Sequence, residues 1–204
     1  MATFTAGATQ YTASEKAVKL AQENLLIDTH IDVPYRIYHK WDDVSKATEG
    51  GDFDYPRGVK GGLNVPFMSI YIPANLEFEG KGKSYQLANQ LIDGMEALAQ
   101  RAPDKFAIAT STADVEAQFK QGLMSLAMGM ENGSPMEGEM ANLKHFFDRG
   151  VRYITLAHSQ SNHISDSSYD VPRMWKGLGP FGKVLVKEMS KIGMLIDVSM
   201  ISDD

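Results

Sequence analysis

Apolar and polar positions along the chain alternate in two rhythms, one of strands and one of helices. Residues 1–13 form a small polar lead-in. Residues 14–22 read as a short helix with Ser14 as its N-cap. Leu25-Leu26-Ile27 centre a predicted buried strand over residues 24–30. Residues 39–60, rich in charge and glycine, predict a long loop. Gly61-Gly62 then open a second apolar strand from Leu63 to Ile72, despite Pro66. Residues 84–101 predict a helix, with Leu87, Leu91, Met95 and Leu98 on one face and Ser84 near the N-cap. Residues 106–109 read as a short extended piece, and residues 112–120 as a second short helix.

From Leu123 the rhythm becomes regular. An apolar run over residues 123–130 predicts a strand ending at Glu131. Residues 139–149 predict a helix that Gly150 can cap. Residues 151–157 predict a strand ending at His158, and residues 159–178 a polar loop. Residues 181–192 predict a helix closed by Gly193, followed by a strand over residues 194–198. Strand, helix, strand, helix, strand implies right-handed βαβ units and a parallel sheet.

Composition narrows the classes. A hydrophobic share of 43% is that of a globular chain, and 204 residues can bury a substantial core. The formal net charge of -6 argues against nucleic acid as a partner, since phosphate binding needs a basic surface. The absence of cysteine excludes disulfides and thiolate metal sites, so any metal must be held by His, Asp and Glu. No apolar run approaches the ~20 residues of a membrane span. The first residues lack the charged and apolar regions of a signal peptide. The expectation is a cytoplasmic protein, or a periplasmic one whose leader has been removed.

Polar groups interrupt the strands at particular places. His30 and Asp32 are two apart at the end of the first strand, so their side chains leave on one face and aim at one point. An imidazole beside a carboxylate suits a divalent metal that takes nitrogen and oxygen ligands. The alternative is a polar strand end with a hydrogen-bonded histidine. Glu131 and His158 end two further strands. In a (β/α)8 barrel, catalysis sits at that carboxyl-terminal rim. A carboxylate such as Glu131 can bridge two metal ions, and Asn132-Gly133-Ser134-Pro135 would expose it. Its alternative is a first-turn carboxylate favoured by the next helix.

These residues resemble the membrane (renal) dipeptidase family, zinc dipeptidases of amidohydrolase-like barrel fold. Asp28-Thr29-His30-Ile31-Asp32-Val33-Pro34 resembles the family's D-x-H-x-D-x-P opening. Gly61-Gly62 before Phe67-Met68-Ser69-Ile70-Tyr71 resembles its second strand, and Gly129-Met130-Glu131-Asn132-Gly133 its glutamate segment. Arg152-Tyr153-Ile154-Thr155-Leu156-Ala157-His158 resembles its R-Y-L-T-L-T-H strand. Gly179-Pro180-Phe181-Gly182, Glu188-Met189 and the stretch from Gly193 to Ser199 resemble its fifth helix and strand.

The resemblance implies an α/β fold of the (β/α)8 TIM-barrel type, with about five of eight strands in this chain. Residues 1–23 are then a lead-in with a short helix, and residues 24–204 the N-terminal portion of one hydrolase barrel. It implies His30 and Asp32 as ligands of one zinc, Glu131 as the bridge between two, and His158 as the residue that binds substrate and polarises the scissile carbonyl. It implies dipeptide hydrolysis by a metal-activated water, and a homodimer. One position departs from the family. Met200 stands where the family carries a histidine for the second zinc, and a thioether is a poor zinc ligand beside carboxylates. Two other functions stay open: a barrel hydrolase of another amide or a lactone, and a non-catalytic barrel part. His163 reads as a loop-ordering residue or as part of the active-site mouth. His39 and His145 read as surface residues, Asp197 as an inward or a structural carboxylate, and the twelve methionines as core filler.

Overall fold

The computed structural model describes residues 12–204. Ser14 Oγ accepts from the Ala17 amide and caps α1 (Glu15–Glu23). Strand β1 (Leu26–Ile31) leads into α2 (Val33–His39), and α3 (Tyr55–Gly61) precedes β2 (Leu63–Tyr71). Helix α4 (Lys83–Arg101), β3 (Phe106–Ile108), α5 (Thr112–Lys120) and β4 (Met124–Glu131) follow. The described chain closes with α6 (Met140–Asp148), β5 (Val151–Thr155), α7 (Pro180–Ile192) and β6 (Leu195–Asp197). Two 3-10 turns, Ala74–Phe78 and Ser134–Met136, lie after β2 and β4.

The strands form a parallel sheet in the order β1-β2-β4-β5-β6, with β3 pairing the first residues of β4. This is a half-barrel, the part of a TIM-type barrel that the alternating pattern predicts. The two faces of the sheet have different residues. Met124, Leu126, Met128 and Met130 of β4 join Met68 and Ile70 of β2 and Ile154 of β5 in the core. Leu91, Met95 and Leu98 of α4, Phe146 of α6 and Leu185 and Met189 of α7 pack in the same cluster. Among the described residues, eight methionines are buried, as core filler should be. The opposite face carries rows read from the register: Ser69, Gly129, Tyr153 and Leu195, then Tyr71, Glu131, Thr155 and Asp197. These rows lead to the rim where the candidate residues sit.

Several expectations change. The strand around Leu26 is exposed, not buried. Leu26 and Ile27 are 39% and 55% accessible, because β1 is an outer strand whose one strand neighbour among the described residues is β2. The other outer strand, β6, exposes Leu195 similarly. The predicted loop over residues 39–60 ends in α3, which Asp54 caps through the Arg57 amide. Helices α2 and α3 have seven residues each, too few to show a 3.6-residue period, and each carries proline in its first turn, where no amide is needed. Helix α4 starts one residue before Ser84, and its first amides are met from elsewhere. Glu137 Oε1 accepts from the Gly82 amide at 2.8 Å and from Ser84 Oγ at 3.0 Å. His145 is half-buried, bonded through Nε2 to Asn89 Oδ1 and packed against Tyr85 and Phe146, so it is not a free surface residue. His39 is exposed.

Candidate metal centre

The carboxyl-terminal ends of β1, β4 and β5 bring the polar side chains together, with β2 lying between β1 and β4. His30 is the penultimate residue of β1, and Asp32 lies one residue past its end, where the chain turns into α2. Glu131 ends β4, and His158 follows β5 by three residues. His30 Nε2 is 3.3 Å from Asp32 Oδ1 and 3.2 Å from Glu131 Oε2. Glu131 Oε1 is 3.2 Å from His158 Nε2, and Ser69 Oγ donates to Glu131 Oε2 at 3.1 Å. The donor atoms of His30, Asp32 and Glu131 all lie within 4.8 Å of one another. All four residues named from the sequence therefore meet in one cluster. Glu131 does not cap a helix; both of its oxygens face the site.

Charge is concentrated here. Hydrogen bonds that His30 donates to Asp32, and then to Glu131, raise it from its ordinary value to about 10, against the opposing effect of burial. Burial alone would push the Glu131 carboxyl up, but His158 and His30 outweigh it and hold it at about 2. Burial and the neighbouring Glu131 charge push the Tyr71 hydroxyl up. The Tyr71 ring meets the His158 ring edge-on at 5.1 Å. His158 Nδ1 is buried with no hydrogen-bond partner among the described residues.

This donor set can be tested for metal. Once Nε2 of His30 gives up its proton, one imidazole nitrogen and two carboxylates face a single point, a combination that suits a divalent ion of borderline or hard character. The described residues supply such a set for one ion. Around the second position that the resemblance implies, the wall of the adjoining cavity of about 700 Å³ is made by Asp197, Ser199 and Met200. Asp197 is already engaged: Oδ2 accepts from Thr155 Oγ1 at 2.5 Å, and Oδ1 from the Ser199 amide at 3.0 Å. Met200 offers only a thioether.

His163 does not join the cluster. Its backbone amide and Nδ1 lie 2.9 and 2.8 Å from Glu77 Oε1, tying the loop over residues 159–178 to the turn after β2. The same loop is organised by Asp166, fully buried, which accepts from the amides of Met174, Trp175 and Gly177. Sequence reasoning missed two residues that touch the donors. Ser69 holds Glu131, and the Tyr153 hydroxyl lies 2.9 Å from His30 Nδ1. Each sits two rungs below the rim, so only the strand register reveals that it faces the site.

A parallel half-barrel with a His, Asp and Glu cluster on its carboxyl-terminal rim defines a TIM-type α/β protein with a candidate metal centre. The model of the membrane dipeptidases (peptidase family M19) matches residues 14–204, and the chain belongs to that family. It is 29% identical over 202 residues to an uncharacterized dipeptidase of Schizosaccharomyces pombe, covering 93% of this chain and 49% of that protein. The fold is similar to the crystal structure of the probable dipeptidase PvdM from Pseudomonas aeruginosa, at a TM-score of 0.80 and 24% identity over 92% of this chain and 50% of that one. It is also similar to a metallo peptidase from Rhodobacter sphaeroides liganded with a phosphinate mimic of L-Ala-D-Ala, at a TM-score of 0.76 and 19% identity, covering 88% and 59%. The chain spans about half the length of the curated relatives it matches. Among the described residues, no helix is long and apolar enough to cross a membrane.

Proposed function

We propose that this chain carries the metal-binding half of a zinc-dependent dipeptidase, which hydrolyses the peptide bond of dipeptides. The observation that carries the reading is the meeting of His30, Asp32, Glu131 and His158 at one rim, from separate strand ends. His30, Asp32 and Glu131 hold the ion. Zinc there supplies a Lewis acid that makes water nucleophilic near neutral pH. Glu131, buried and ionised, keeps one oxygen toward His30 and the other toward His158. His158 binds the substrate's scissile carbonyl and stabilises the oxygen as it gains negative charge. The Tyr71 ring keeps the His158 imidazole from swinging away. One ion is the state these residues favour, because Met200 and the engaged Asp197 leave a second without a strong donor set.

The test is zinc binding by the chain and dipeptide hydrolysis by the intact enzyme, each with His30→Ala and Glu131→Ala. Both substitutions are expected to remove tight zinc binding and to abolish turnover without unfolding the chain. Retained turnover in both would refute the reading. A substrate panel of dipeptides, N-acyl amino acids and lactones separates peptide hydrolysis from hydrolysis of another amide or ester.

A further inference from the structure

We infer that Tyr153 is a positioning residue for His30: its hydroxyl accepts the Nδ1–H hydrogen bond and so commits Nε2 to the metal. The inference rests on the metal-site reading above and extends it to a residue outside the donor set. An imidazole can coordinate through Nε2 only when its proton sits on Nδ1, and that proton needs an acceptor. His30 Nε2 faces Asp32 and Glu131, while Nδ1 faces the Tyr153 hydroxyl at 2.9 Å. The nearby Asp28 does not compete, since its Oδ1 is taken by the backbone amide of His30.

The neighbours of Tyr153 are shaped to hold its ring in that place. Tyr153 pairs in register with Gly129, two residues before Glu131 on the same strand face. A Cβ built on Gly129 would lie 1.9 Å from Cζ of Tyr153 and 2.0 Å from its Cε1. The missing side chain at 129 is therefore the slot that the Tyr153 ring fills. Phe67 borders the ring from the next rung of β2, with ring centroids 5.6 Å apart. Only 8% of Tyr153 is accessible, and a phenylalanine would fill the same volume, so packing alone does not account for the hydroxyl. Ser69, paired with Gly129 from the other side, makes the equivalent bond to Glu131. The row beneath the rim thus carries two hydroxyls, each aimed at one donor.

The experiment is zinc titration of the chain by calorimetry, together with ¹⁵N–¹H spectra of its histidine rings, for wild type, Tyr153→Phe and Gly129→Ala. Tyr153→Phe is expected to weaken zinc binding about 10- to 100-fold, the usual effect of losing an outer partner of a ligating histidine. It should also abolish the hydrogen-bonded Nδ1–H signal of His30, with the thermal midpoint of the zinc-free chain lowered by no more than about 4 °C. Gly129→Ala should lose the same signal by displacing the ring, although the hydroxyl remains. Wild-type zinc affinity and an unchanged His30 signal in Tyr153→Phe would overturn the inference. Should the wild-type chain bind no zinc, the metal reading fails, and the ring signal decides alone: its loss in Tyr153→Phe supports the positioning role, and its retention overturns it.

Discussion

Asp54→Asn tests whether one buried carboxylate fixes the segment beside the candidate metal centre. Asp54 is 2% accessible. Its Oδ1 accepts from the Arg57 amide at 2.8 Å, and its Oδ2 from the Thr48 amide at 3.0 Å and Arg57 Nε at 2.8 Å. The knot closes residues 48–54 onto α3, along a cavity that His30, Asp32 and Arg36 also line. Burial would raise the carboxyl, but the two amides and the guanidinium outweigh it and lower it from 3.8 to about 2. Lowering the carboxyl that far favours the ionised folded state by about 2 kcal/mol. Because the folded value lies below the unfolded one, this stability is fully present above the unfolded value of 3.8 and disappears as pH falls through about 2. Asparagine carries no charge and turns an N–H₂ toward groups that are themselves donors. The variant should therefore be ~2–3 kcal/mol less stable at neutral pH, and the gap should close in acid. Urea unfolding across pH measures it, with an expected midpoint shift of about 1 M at neutral pH. A gap below ~1 kcal/mol at neutral pH, or one that stays constant into strong acid, would refute the reasoning.

Two further outcomes follow from the site. With His30 raised to about 10 by Asp32 and Glu131, zinc must displace a proton from Nε2 at any pH below that value, so affinity should rise about tenfold per pH unit. Calorimetry in buffers of different ionisation heat should count about one proton released per zinc, and a count near zero at neutral pH would contradict the protonated His30. His158→Ala should lower turnover of dipeptides about 100-fold in the intact enzyme while leaving zinc affinity within about threefold, because among the three candidate donors His158 meets only Glu131, at the oxygen turned away from His30. A comparable loss in zinc affinity would instead make His158 a ligand.

The sequence pattern carried the fold wherever an element was long enough to show its period. Helix α5 has the predicted bounds, and α7 ends against Gly193, whose φ of 79° suits glycine. The pattern failed where the causes were not local. Helices α2 and α3 are too short to read, and the amide of Gly82, just before α4, is met by Glu137, some fifty residues away in sequence. Leu26 and Ile27 of β1 and Leu195 of β6 lie on the two outer strands of the described half-barrel, and their exposure is that of a partial barrel in a chain spanning about half the length of its curated relatives.

The candidate metal donors and their supports differ in how visible they were, for one physical reason. A charged or ionisable side chain at the end of an apolar strand is costly to desolvate, so His30, Glu131 and His158 stand out against their surroundings. Tyr153, Ser69 and Gly129 cost nothing of that kind and look like ordinary strand residues. Their meaning lies in registers: Gly129 matters because Tyr153 sits opposite it, and Tyr153 because His30 hangs over its hydroxyl from a strand more than a hundred residues earlier. A single sequence records each residue but not which one it faces. The row beneath the candidate rim is therefore the place where a structure adds most, and where changes as small as one hydroxyl or one methyl are expected to reach the candidate donors.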